Sequence, residues 1–125
     1  MHKIRISAGQ VSVTAVLKEN DTAESLWKAL PLEASANTWG DEIYFGIPVH
    51  QEEAGDAKDV VEVGALGYWP PGHAFCIFFG RTPASRGSEC RAASAVNVLG
   101  KVEGDATVFK KVRSGEKVRI EKVEG

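Results

Sequence analysis

Residues 3–8 and 11–17 alternate apolar and polar positions on either side of Gly9-Gln10. Ile4 and Ile6 share one face of the first run, and Val11, Val13, Ala15 and Leu17 share a face of the second. Two such runs joined by two residues, one a glycine, predict a β-hairpin. The period then changes. Ala23, Leu26, Trp27 and Leu30 form a helical stripe, Asp21 with Glu24 gives a capping-box-like start, and Pro31 ends it. Alternation returns over residues 32–38 and is broken at Gly40. Residues 42–49 predict another strand with a bulge at Gly46, and residues 60–63 a further one. Residues 50–59 are acidic and read as a surface loop. Tyr68-Trp69-Pro70-Pro71-Gly72 forces a tight turn, because proline fixes φ and glycine frees it.

Residues 73–79 are the most apolar run and predict a central strand. Residues 80–94 are small and polar and predict a long loop, a common seat of function. Residues 95–102 predict a strand, residues 105–112 a second short helix, and residues 116–123 a last strand. About eight strands, two short helices and no βαβ alternation predict a mainly β fold: a closed eight-stranded barrel capped by a helix at each end.

The 125 residues are expected to form one domain, 1–125, and the balance of 43% hydrophobic and 26% charged residues is that of a soluble globular protein. No apolar run approaches the ~18 residues of a spanning helix, and the first residues alternate where a signal peptide would be uniformly apolar. A cytoplasmic protein is expected, with no membrane partner. A net charge of −2 gives no field for nucleic acid. Charge is unevenly placed: residues 41–62 hold seven acids against Lys58 alone. That segment reads as a solvated face, or as an acidic rim near a cleft. Cys76 lies in an apolar run and Cys90 in a polar one, so both are expected as free thiols, Cys76 protected and Cys90 reactive. Neither they nor His2, His50 and His73 have ligand spacing, so no metal or other cofactor is expected.

Strand parity locates a candidate site. Glu42 and Tyr44 point to one side of their strand and Ile43 and Phe45 to the other. The apolar pair belongs inside, which turns Glu42 and Tyr44 outward into a groove. Asn37 and Trp39 share a face of the preceding strand, and Trp69 beside its prolines can wall the same groove. Phe78 and Phe79 point opposite ways, so one is core and Phe79 is a candidate for the pocket. Thr82, Ser85 and Ser94 can donate hydrogen bonds from the long loop. Asn37, Trp39, Glu42, Tyr44, Trp69, Phe79, Thr82 and Ser94 are therefore the candidate ligand-binding residues: an aromatic platform with polar handles. No nucleophile elbow, phosphate loop or dinucleotide fingerprint occurs.

Three stretches carry a family resemblance: residues 37–45 (NTWGDEIYF), residues 67–83 (GYWPPG through FFGRTP) and residues 94–102 (SAVNVLGKV). Together they resemble the small bacterial and archaeal cyclophilin-like domain family of unassigned function. The resemblance implies an eight-stranded barrel closed by two helices. Leu99-Gly100-Lys101-Val102 is similar to a Phe-Gly-Lys-Val segment of true cyclophilins, whose pocket histidine would fall at Val96. If Gly40 matches an earlier cyclophilin glycine, the catalytic arginine falls at Ala36. Without that cation the twisted amide of a prolyl substrate loses a hydrogen-bond donor. The expected function is binding of a small molecule or short peptide in the aromatic groove. The alternative is a peptidyl-prolyl isomerase with a rebuilt site; a hydrolase of urea-like or lactam substrates rests on fold analogy alone.

Overall fold

The computed structural model describes residues 2–123. Its first two strands, β1 (Lys3–Ala8) and β2 (Val11–Leu17), form the expected hairpin, with Gly9 at φ +56° in the turn. Helix α1 (Asp21–Ala29) follows. Its cap is Asn20, one residue before the expected start: the Asn20 side chain accepts the Ala23 N–H at 2.9 Å, so Asp21 is already helical.

The single strand expected over residues 32–38 is two. β3 (Leu32–Ser35) pairs with the last strand, and β4 (Asn37–Thr38) pairs with β5 (Glu42–Gly46). Ala36 is the buried residue between them; its N–H goes to the Glu116 carbonyl and its carbonyl takes the Gly115 N–H, both at 2.8 Å. Next come β6 (Lys58–Val61), β7 (Ala65–Trp69), a 3-10 turn over Pro70–Gly72, and β8 (Ala74–Phe78). β9 (Cys90–Val102) begins five residues earlier than the expected start at 95. Apart from Arg91 its first half is small residues without apolar alternation, and it is a strand because β6 pairs with it. The expected second helix is a 3-10 helix over Ala106–Lys111, and β10 (Lys117–Val123) closes the order.

The ten strands form one sheet in the order β3-β10-β1-β2-β9-β7-β8-β5-β4, with β6 paired to β9 off this path. This corrects the expected closed barrel. The hydrogen-bonded ladder has two ends, β3 and β4, and what joins them is the covalent chain through Ala36.

Two apolar clusters lie on opposite faces of this sheet. β8 shows the division by parity: Phe75 and Ile77 enter the main core with Ile4, Ile6, Ile43, Phe45 and Phe109, while Ala74, Cys76 and Phe78 enter a smaller cluster with Val61, Ala65, Cys90, Ala92 and Val96. A strand buried on both faces explains why residues 74–78 are apolar without alternation. Among the described residues no helix is long and apolar enough to cross a membrane.

Candidate functional site

At the edge of the smaller cluster is a cavity of about 190 Å³. Trp39, Tyr44 and Trp69 line it together with Glu42, and the small apolar side chains of Cys76, Ala92, Ala93 and Val96 complete the lining. The register explains the gathering. Tyr44 pairs with Cys76 across β5 and β8, and Cys76 with Gly67 across β8 and β7, so Glu42, Tyr44, Cys76 and Trp69 all stand on one face. Gly67 carries no side chain there. A Cβ on it would sit 2.9 Å from Val96 Cγ2 and 3.3 Å from Phe78 Cε2, so β9 approaches β7 only because the residue is glycine.

Trp39 reaches the site through a tight turn. Its N–H donates to the Glu42 carbonyl at 2.9 Å, and Gly40 takes φ +60° beneath the backbone of Arg81 and Thr82. Trp69 is fixed by its indole N–H, which donates to Ser94 Oγ at 2.7 Å.

Glu42 does not face solvent as parity alone suggested; it is 5% exposed, and its Oε1 has no hydrogen-bond partner. The groove it points into is roofed by aromatic side chains. Burial raises its carboxyl from 4.5 to about 7, with a hydrogen bond from the Cys76 thiol offsetting part of the rise. Cys76 is itself pushed well above the thiol range, first by burial and then by the Glu42 charge. The site therefore holds one carboxyl group whose burial lifts its titration toward neutral pH, and a thiol whose ionisation burial disfavours.

The structure brings together Trp39, Glu42, Tyr44 and Trp69, and not the other expected residues. Asn37 stands beside Tyr44 on the exposed surface, its amide donating to the Tyr44 carbonyl at 3.2 Å. Ser94 acts on the site through Trp69. Phe79 turns to the opposite face and packs against Phe109 in the main core, with ring centroids 6.1 Å apart. Thr82 is buried in the loop, where its hydroxyl donates to the Arg91 carbonyl and accepts from the Ala84 N–H. Cys90, expected to be reactive, is 2% exposed at the start of β9 and belongs to the smaller cluster. Both cysteines are free. Residues that sequence reasoning missed are Cys76, Ala92, Ala93 and Val96. Of these Val96 carried a signal, since it falls where cyclophilins place a pocket histidine.

The acidic segment divides. Glu52, Glu53 and Asp56 are exposed, Asp59 pairs with Arg91 at 2.9 Å and Glu62 with Lys101 at 2.8 Å, so Glu42 alone of these acids faces the cavity. Among the described residues no group of side chains is placed to hold a metal ion.

The family model described as Cyclophilin-like matches residues 2–121. This chain belongs to the cyclophilin-like family. The solution structure of the hypothetical protein AF2241 from Archaeoglobus fulgidus superposes with a TM-score of 0.83 at 40% identity, covering 98% of this chain and 95% of that one. No curated protein matches the chain. Within this cyclophilin-like domain, Val96 is fully buried in the lining and Ala36 is in the main core. The two positions tied by resemblance to a cyclophilin's polar pocket are thus apolar here.

Proposed function

We propose that this cyclophilin-like domain binds a small molecule, or one side chain of a short peptide, in the cavity between β5, β7 and β9. The observation that carries this reading is the unpartnered Oε1 of Glu42, buried at a cavity otherwise lined by aromatic and small apolar groups. Buried polar atoms are nearly always hydrogen-bonded, and each exception asks for a partner. A cavity of about 150 Å³ admits a benzene ring, so a ring-sized ligand suits the volume. Apolar area supplies the affinity and one carboxyl supplies the orientation.

The indole N–H resonances test this. Titration with a panel of small fragments should move the signals of Trp39 and Trp69 and leave that of Trp27, which stacks on His2 at 3.8 Å outside the cavity. A panel whose binders move only Trp27, or none of the three, would exclude the site.

A further inference from the structure

The ligand of this pocket can be named by class, an inference that rests on the binding reading above. We infer that the cavity takes a small organic cation, an alkylated ammonium group, with Glu42 as its counter-ion and Trp39, Tyr44 and Trp69 as the walls that receive its alkyl groups.

Three observations converge. The first is charge: the lining holds one carboxyl and no cationic side chain. An ionised carboxylate that is 5% exposed, with one oxygen unpartnered, costs free energy that a bound cation recovers. The second is the wall chemistry. Aromatic faces attract cations, tryptophan most strongly, and two of the three aromatic walls are tryptophan. The third is the shortage of acceptors. A primary ammonium brings three N–H donors. Beyond Glu42 and the single hydroxyl of Tyr44 the lining is aromatic rings, a thiol and aliphatic groups, and the Trp69 indole is a donor already spent on Ser94. Alkyl groups in place of N–H donors match such a lining.

Binding of this ligand is linked to protons. The titratable groups facing Glu42 are Tyr44 on its own strand and Cys76 on β8; β7 presents Trp69, and β9 presents Ala92, Ala93 and Val96. Asp41, its neighbour in sequence, points to Lys110 at 3.8 Å. Cys76 stays protonated, so Glu42 is the group that titrates. A cation holds it ionised, and below its raised pKa of about 7 binding must expel its proton.

The test compares choline with its uncharged isostere, 3,3-dimethylbutan-1-ol, by calorimetry and indole NMR on the full chain. At about pH 8 choline is expected to bind at least about tenfold more tightly, to move Trp39 and Trp69 but not Trp27, and to weaken toward about pH 6 with proton release. Glu42→Gln should abolish the preference for choline and keep the isostere. An isostere that binds as well as choline overturns the cation assignment, a Glu42→Gln variant that keeps the full preference overturns the counter-ion role of Glu42, and either leaves the pocket reading standing. Failure of both probes to move Trp39 and Trp69 overturns both. A trimethyl-lysine peptide run in parallel separates the two sources of the same chemistry: tighter binding than choline places the cation on a polypeptide, and weaker binding places it on a free amine. The wild-type comparison needs no variant to fold.

Discussion

The indole of Trp69 and the hydroxyl of Ser94, 2.7 Å apart, tie the end of β7 to β9 beside the cavity. The bond is at the surface, so it does little for folding, and it fixes the orientation of one wall. Ser94→Ala should leave stability within about 0.5 kcal/mol of the parent and weaken any ligand of the pocket several-fold. Thermal melts and Trp69 indole shifts check the two halves separately.

Glu42 gives the fold a pH dependence of known sign. Its carboxyl titrates near 7 folded against 4.5 as the ordinary value. The folded state therefore binds the proton more tightly, and the associated stability is complete below about pH 4.5 and lost as pH rises through about 7. At 1.36 kcal/mol per unit the ceiling is about 3 kcal/mol, which structural relaxation reduces. Glu42→Gln should remove this dependence and equal or exceed the parent at about pH 8. Urea unfolding at about pH 5 and pH 8 measures it; a parent that gains stability between those pH values through Glu42 would contradict the assignment.

Both thiols should be silent in the folded protein. Cys76 and Cys90 are each 2% exposed, and burial raises the pKa of both. Titration with a thiol reagent should find no fast group natively and two after unfolding. A single fast native thiol would show that the start of β9 is open.

Gly67 and Val96 should behave as a coupled pair. Gly67→Ala places a methyl 2.9 Å from Val96 Cγ2, and overpacking of this kind costs roughly 1–3 kcal/mol. Val96→Ala opens the space it needs, so the double variant should recover part of the loss. Additive losses in a double-mutant cycle would mean the two do not meet.

Prolyl isomerisation should be absent or very slow. Rate enhancement of a twisting amide needs a positioned donor in the site, and the lining offers no cationic one. A coupled isomerisation assay approaching the efficiency of a typical cyclophilin would refute this.

The residues that sequence could place were those governed by local parity. Ile43 and Phe45 are in the main core, Glu42 and Tyr44 take the other side, and Trp69 sits where its proline turn puts it. What was hidden depends on contacts between distant strands. Nothing local shows that β6 covers residues 90–96, so Ala92 and Ala93 read as loop and Cys90 as exposed. Glu42, which alternation alone had turned to solvent, is buried by Trp39, Tyr44 and Trp69, which the turn at Gly40 and the pairing of β5, β8 and β7 bring over it. Phe78 and Phe79 were correctly opposed, yet both faces of β8 are filled, so neither opens to the cavity. The closed barrel failed for a similar reason. Ala36 changes the strand's partner without a break in the apolar pattern that would announce it.

β9 spans both clusters: Leu99 and Val102 lie in the main core, Cys90, Ala92 and Val96 in the smaller one. Its two halves are accordingly expected to open as separate units. The half paired with β6 should detach first, while the half paired with β2 keeps its ladder. Backbone amides of residues 90–96 should then exchange with solvent deuterium ahead of those at 99–102. Occupying the cavity would slow the early group alone, which makes exchange in this one strand a gauge of occupancy that needs no knowledge of what the occupant is.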